Sequence, residues 1–329
     1  MRAIATPGGL PISDPAALVD VEVEAPQALP HDLVVRVEAV SVNPVDSKVR
    51  LSANPSDTPR ILGYDAAGTV TAVGQEVSGF AVGDEVYYAG AIDRPGSNAD
   101  YQAVDHRIAA HKPTTLSFAD AAALPLTALT AMEALEDLFH VGANSEGTLL
   151  VLGGAGGVGS IMIQLAKRLT SLRVIATASR PETAAWAREM GADEVANHHD
   201  LGAEVLRIVP EGVDYVLSTH SEGQIGAFAE IVKPLGHIAA IDDGNLNLSP
   251  LKPKRISWHW EFMFSRSLFQ TPDIAVQGRM LADLATMVDA GEIRTTATQY
   301  IEDFTAAGIR EAHRRIESHG TQGKIVVTR

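Results

Sequence analysis

Hydrophobic and polar positions change their period three times along this chain. From residue 33 to 40 they alternate, with Val35, Val37 and Ala39 on one face and Arg36 and Glu38 on the other, which predicts a half-exposed strand. Short apolar segments follow at 67–73 and 85–88, punctuated by Gly68, Gly74, Gly79 and Gly83, so residues up to about Tyr101 predict a compact β-rich domain. Between 117 and 139 the pattern turns helical and alanine-rich, with Pro125 as the break between two helices. Short apolar segments at 173–178, 194–198, 215–219 and 237–241 then alternate with helical ones such as 184–190 and 224–232. That alternation predicts a doubly wound parallel sheet. Past about Ser257 the pattern changes again, to the aromatic stretch WHWEFMF, a helix with Val276, Met280, Leu281, Leu284, Met287 and Val288 inward, and a last strand at 324–327 that rejoins the first domain.

At the head of the parallel sheet lies LLVLGGAGGVGSIMIQLAKRL, residues 149–169. Leu149, Leu150, Val151 and Leu152 form a continuous apolar run, as in a strand buried on both faces, while Val158, Ile161, Met162, Leu165, Ala166 and Leu169 recur on one face of a helix. Between them Gly154-x-Gly156-x-x-Gly159, enclosing Gly157 and Val158, fits GxGxxG. The first amides of a helix lack internal partners and point, with the positive end of the dipole, at whatever precedes them; a pyrophosphate satisfies both. Glycine is needed because a Cβ would block the turn, the phosphates or the packing of helix on strand. The plainer alternative is a tight structural turn. Further on, where a carboxylate would select NAD, the chain has Ser179-Arg180-Pro181. A hydroxyl beside a guanidinium suits a 2′-phosphate, so NADPH is the expected nucleotide. The alternative is that Ser179 caps the next helix and Arg180 is solvated.

Composition narrows the classes. The 329 residues suffice for two domains, and a net charge of −15 opposes binding to nucleic acid or an anionic membrane. With no cysteine, disulfides, thiolate metal sites, iron–sulfur clusters and a cysteine nucleophile are excluded. The first residues, MRAIATPGGL, have no apolar signal core, and no run approaches a bilayer span; the expectation is a cytoplasmic protein.

Five segments carry a resemblance: SVNPVDSKVR (41–50), LGYDAAGTVTAVG (62–74), ALPLTALTAMEAL (123–135), VLGGAGGVG (151–159) and GKIVV (323–327). In this order the chain resembles the medium-chain dehydrogenase/reductase superfamily, in its zinc-free quinone oxidoreductase branch related to zeta-crystallin. The resemblance implies an α/β protein in which a GroES-like β-rich catalytic domain (1–124, resumed over 258–329) is split by an inserted Rossmann domain (125–257). Asn43 and Tyr64 stand where metal-dependent relatives have a cysteine and a histidine, which implies no metal. Of the eleven histidines, the adjacent His198 and His199 are read as facing opposite ways on a strand.

By the same resemblance Thr127 and Thr130 face the nicotinamide and its phosphate, His198 lies near the 2′-phosphate, Ser218 and Thr219 follow the fourth strand, Asp242 follows the fifth, and Lys324 returns to the cofactor. Asn43, Asp46, Lys48 and Tyr64 are the catalytic candidates: Asn43 toward the ribose or the acceptor oxygen, Lys48 or Tyr64 as proton donor, Asp46 either catalytic or a structural acceptor. Without a Lewis acid, hydride transfer from NADPH to an electron-poor quinone remains feasible. Two alternatives stand beside it, an enone or enoyl reductase and a non-enzymatic NADPH-binding protein. The family expectation is a homodimer. Segment 257–266 lines an aromatic pocket or subunit contact, or is simply a buried strand and turn.

Overall fold

In the computed structural model, which describes residues 1–53, 59–318 and 320–329, the chain divides into two compact units, Met1–Leu129 with Phe264–Arg329, and Thr130–Met263. The N-terminal residues give strands β1 (Arg2–Thr6), β2 (Val19–Glu22), β3 (Asp32–Val42), β4 (Arg60–Ile61), β5 (Asp65–Val73), β6 (Glu85–Tyr88), β7 (Tyr101–Asp105) and β8 (Ala109–His111). The second unit contributes β9 (Thr148–Val151), β10 (Arg173–Thr177), β11 (Glu194–Ala196), β12 (Val213–Ser218), β13 (Val232–Ala240) and β14 (Ser257–Trp260); β15 (Ala297–Ile301) and β16 (Lys324–Thr328) return to the first.

The first unit is built on a seven-stranded sheet, β15-β16-β3-β5-β6-β8, with β7 also on β3, beside a small sheet β2-β1-β4. Its core takes Val35 and Val37 from the alternation seen in the sequence, but the pairing of β3 with β5 shifts register between Val37 and Ala39, so that Val40 and Val42, rather than Ala39, continue the inward row; these meet Val70, Val86, Tyr88, Ile325 and Val327, while Arg36 on the other face is exposed. Antiparallel register sets Ser41 opposite both Asp65 and Val326, so three polar-bearing strand ends meet there. Among the helices not foreseen in the sequence are Ala306–Glu317 and Pro44–Ser52, the latter next to the polar strand ends. Proline at its first position has a φ suited to a helix start, and Asp46 Oδ2 accepts from the Asn43 N–H at 2.7 Å, tying down the entry.

All six strands of the second unit run parallel in the order β11-β10-β9-β12-β13-β14. Leu150, Ile175, Val216 and Ile238 from its centre pack with Val205 and Phe228 from the helices Leu201–Ile208 and Ile225–Ile231. The helix Gly157–Leu169 is buried on more than the face its apolar residues define, because Ser160, Ile163 and Gln164 are covered too; Ser160 Oγ accepts the Trp186 indole N–H at 2.8 Å. Ser257–Trp260 forms the edge strand of this sheet, with Trp258 against the core and Trp260 54% exposed.

The sequence expectation about membrane spans needs correcting. Phe118–Leu138 is long and apolar enough to cross a bilayer by length and composition alone. In the folded chain 83% of its most apolar 18-residue window is buried inside the protein, so its apolar character is spent on the core.

Candidate active site

In a parallel sheet that changes direction of winding, ligands bind beyond the carboxyl ends of the strands. Here the change falls between β9 and β12, whose chain neighbours wind outward to opposite sides. After β9, Gly153 takes φ +67°, and its N–H donates to Thr177 Oγ1 at 3.0 Å. A Cβ on Gly154 would lie 2.6 Å from the Cβ of Ala176 on β10, and one on Gly159 would lie 2.3 Å from the Gly153 carbonyl oxygen, so both close approaches require glycine. Gly156 precedes the helix that Gly157, Val158 and Gly159 open, and a Cβ there would meet only the Gly153 oxygen, at 3.4 Å. The turn thus leaves space in front of the free amides of a 13-residue helix, which fits a pyrophosphate.

The other strand ends lie along the same edge. Ser179 and Arg180 follow β10 and are exposed; Arg180 itself is the residue at the helix cap, and no side chain caps the helix Pro181–Glu189, so Ser179 is not a cap. After β11, Asn197 Oδ1 accepts the His199 N–H at 3.0 Å and closes a tight turn. The strand reading of His198 and His199 is therefore overturned: their rings lie 4.6 Å apart. His198 borders a cavity of about 500 Å³ that also takes in Gly202 and Gln224. Ser218 is fully buried, its Oγ 2.8 Å from Ser221 Oγ; Ser221 donates from Oγ and N–H to the two Asp242 oxygens at 2.7 and 2.6 Å. Thr219 Oγ1 donates to the Leu152 carbonyl at 3.2 Å. Ser218, Thr219 and Asp242 thus brace the strand ends against one another.

In the first unit the strand ends of β3, β5 and β16 assemble a buried polar cluster. Asp65 Oδ2 accepts from Ser41 Oγ at 2.7 Å, Asn43 Nδ2 at 2.8 Å and Lys324 Nζ at 3.1 Å, and its Oδ1 accepts from the Leu126 N–H at 2.7 Å. Lys324 also donates to the Val42 carbonyl at 3.1 Å and to Asn43 Oδ1. Leu126 lies in the first turn of the helix Pro125–Glu133, where a carboxylate is favoured. Thr127, in that helix, donates from Oγ1 to the Leu124 carbonyl at 3.1 Å; Thr130 is buried in the second unit.

Beside the cluster, Asp46 accepts two backbone N–H groups, from Asn43 at 2.7 Å and Gly63 at 3.1 Å. Burial raises its pKa to about 7, against the pull of those two donors and of Lys324. Tyr64 is buried, its ring 4.9 Å from that of Phe264; its hydroxyl has no hydrogen-bond partner among the described residues, and burial raises its pKa. Lys48 is not brought to the cluster: it stands exposed on the helix Pro44–Ser52, opposite the face that carries Asp46 and Arg50. Asp65 and Gly153 were not singled out in the sequence. The signal for Asp65 is its place at the start of a strand with an inward row: a carboxylate there needs a cation, and Lys324 opens another buried strand.

A GroES-like unit and a Rossmann-type parallel sheet define the class, and comparison with known proteins narrows it. Residues 29–116 match the alcohol dehydrogenase GroES-like domain family and residues 190–327 the zinc-binding dehydrogenase family. The chain is 42% identical over 305 residues, 90% of each chain, to a zinc-type alcohol dehydrogenase-like protein of Staphylococcus aureus strain COL. It is 38% identical over 232 residues to the 2-methylene-furan-3-one reductase of Solanum lycopersicum, and 34% identical over 233 residues to the chloroplastic NADPH-dependent alkenal/one oxidoreductase of Arabidopsis thaliana, in each case 68% of this chain and 58% of the other. Among solved structures, a Rhizobium etli CFN 42 protein provisionally described as a zinc-dependent alcohol dehydrogenase superposes with TM-score 0.96 at 45% identity, covering 100% of this chain and 98% of that one. The quinone oxidoreductase of Coxiella burnetii does so with TM-score 0.83 at 26% identity, covering 100% and 99%. The chain belongs to the medium-chain dehydrogenase/reductase superfamily, a family of oxidoreductases.

The zinc in these family names has no fitting donor set in the cluster. An amide at Asn43 and a phenol at Tyr64 are poor zinc donors, and the carboxylate at the centre, Asp65, already accepts from the Lys324 ammonium. Among the described residues no three histidine, aspartate or glutamate side chains gather as metal ligands.

Proposed function

We propose that this protein is an NADPH-dependent reductase that transfers hydride, without a metal, to a quinone or a similarly activated carbonyl or olefin. The observation that supports the reading is the chemistry of the first unit's cluster: hydrogen-bond donors, a buried lysine ammonium and a phenol with no hydrogen-bond partner among the described residues, where a metal enzyme would need soft ligands. When bound, NADPH supplies the hydride. The glycine turn and the helix amides behind it would hold the pyrophosphate, and Ser179, Arg180 and His198 at the ends of β10 and β11 would take the 2′-phosphate. On this reading the second unit is the cofactor domain and the first the catalytic one. An acceptor already poor in electrons needs only orientation, exclusion of water and a proton, which Tyr64 or solvent supplies.

A second reading, reduction of enones and alkenals, is supported by the likeness to the tomato and Arabidopsis enzymes, 38% and 34% identical over 68% of this chain. NADPH oxidation against a panel of quinones, enones and aldehydes separates the two. Tight NADPH binding without turnover of any would replace both by a binding protein, and zinc-dependent alcohol oxidation would overturn the metal argument. The reading carries with it a cytoplasmic location and a homodimer, the latter through the open edge of β14, where Trp260 and Phe262 are 54% and 45% exposed.

A further inference from the structure

We propose that His237 and His259 form a proton latch on β14: one hydrogen bond between their rings fastens this edge strand to β13, and a second proton opens it, so that acid withdraws the edge from a second copy of this chain. The latch lies outside the reductase chemistry; only its effect on self-association rests on the β14 dimer reading above.

His237 Nδ1 and His259 Nε2 are 3.1 Å apart, with the ring planes 8° apart and the centroids 5.4 Å apart. The centroid distance exceeds the nitrogen distance by about two ring radii. That leaves one arrangement: the rings lie edge to edge in one plane with the two nitrogens aimed at each other, which is the geometry of a linear N–H···N hydrogen bond. Parallel register delivers them there. His237 stands opposite Ser257 and His259 opposite Ala239, so both side chains leave the same face of the sheet on neighbouring strands. Tyr215, opposite His237 on β12, continues the row with its ring 5.9 Å from that of His237, and Phe139 packs against both. β14 is the last strand of the sheet, so the bond ties down an edge.

Two neutral imidazoles carry one proton each, and whichever ring donates, the facing nitrogen of its partner is bare. A first added proton goes to an outer nitrogen and leaves the bond in place, now charge-assisted. With a second, every ring nitrogen bears a proton. N–H then faces N–H between two cations, and the bond is lost. The groups around the pair do not relieve this. Burial lowers the pKa of both rings from 6.5; His140, just past the helical stretch Ala134–Leu138, lowers both further, and His237 adds to the effect on His259. Tyr215 is uncharged in acid, and Asp214 beside it is engaged by Lys233 Nζ at 3.0 Å and the Thr148 N–H at 2.8 Å. The closed pair therefore refuses protons that the open pair accepts, and closure is lost as pH falls below 6.5.

Hydrogen exchange of the β14 amides and of Glu261, whose N–H donates to the Ala240 carbonyl at 2.9 Å, reads the opening once corrected for the intrinsic rate at each pH. Amides of β9, at the centre of the same sheet, report unfolding of the whole unit. From about pH 7.5 to about pH 5 we expect β14 protection to fall at least about 30-fold beyond any fall at β9. In His259→Gln the glutamine gives or takes the one bond and brings no second proton, so the excess fall shrinks to less than about tenfold. Native β14 protection that does not change with pH overturns the latch, whether or not the variant folds, and so do equal falls in the native protein and the variant. Light scattering adds the partner. A native dimer at about pH 8 that becomes monomeric at about pH 5, while the His259→Gln dimer persists, supports the proposal, and a native dimer unmoved by acid overturns it. A protein already monomeric at about pH 8 removes the self-association half together with the β14 dimer reading, and exchange alone then decides the latch.

Discussion

Acidification loads two buried groups of the first unit in opposite directions. His313 is fully buried in the helix Ala306–Glu317, with Nδ1 3.3 Å from Ser47 Oγ and Nε2 without a partner among the described residues. Burial, and then the Arg50 guanidinium, push its pKa from 6.5 down to about 3. Between those values the unfolded chain holds the proton that the folded chain refuses, so stability is lost as pH falls below 6.5. Asp46 behaves in reverse. Its pKa rises from 3.8 to about 7, so the folded chain takes up the proton first and stability is gained as pH falls through that range. Integrated from about pH 7.5 to about pH 5, the two windows give about 2 kcal/mol lost at His313 and about 2.5 kcal/mol gained at Asp46.

The native protein should therefore show little net change from these two groups, and single variants should unmask them. His313→Phe leaves the gain alone and should become more stable on acidification; Asp46→Asn leaves the loss alone and should become less stable by about 2 kcal/mol over the same interval. Hydrogen exchange of the central β3 amides, corrected for the intrinsic rate at each pH, reads the opening free energy of this unit without interference from the other. Identical pH slopes in the native protein and both variants would refute the reasoning, because the opposing shifts could not then both exist.

Gly159→Ala places a Cβ 2.3 Å from the Gly153 carbonyl oxygen; we expect about 1–3 kcal/mol lower stability and at least about tenfold weaker NADPH binding, checked by calorimetry. Arg180→Ala should cost NADPH about 1.5–3 kcal/mol of binding and leave NADH unchanged, so equal losses for both nucleotides would remove the 2′-phosphate assignment. Tyr64→Phe deletes a buried hydroxyl that has no partner among the described residues: thermal unfolding should shift upward or stay level, while turnover falls only where the phenol is the proton donor. Trp260→Glu should convert a dimer to monomers in light scattering; a native protein that is already monomeric would dispose of the β14 interface.

What was legible in the sequence was whatever repeated locally. Val35 and Val37 begin the inward row of β3 as the alternation predicts, though a register shift hands its continuation to Val40 and Val42 in place of Ala39, and the apolar run at Leu149 with its glycines is β9 and its turn. Short or capped elements were less visible. The helix Pro44–Ser52 has few apolar residues to show a period, and its start depends on Pro44 and on Asp46 reaching back to Asn43. His198 and His199 looked like the end of a strand because the residues before them are apolar, but Asn197 ends the strand by capping a tight turn with its side chain. Nothing local marks Asp65, since its cation lies 259 positions away and no nearby pattern pairs them. Arg180 and Ser179 could be placed at a strand end from spacing alone; which of them caps the next helix could not.

The bond from Lys324 to Asn43 spans 281 positions, nearly the whole of the sequence. During synthesis, a chain that has not yet reached residue 324 has Ser41, Asn43 and Asp65 in hand but no cation for the carboxylate they surround. The second unit, by contrast, is one continuous stretch, Thr130–Met263, and owes its sheet to nothing outside it. The inserted unit is therefore free to fold on the ribosome first, and the unit that begins the chain closes last, when its final strand slides in beside β3 and brings the lysine home.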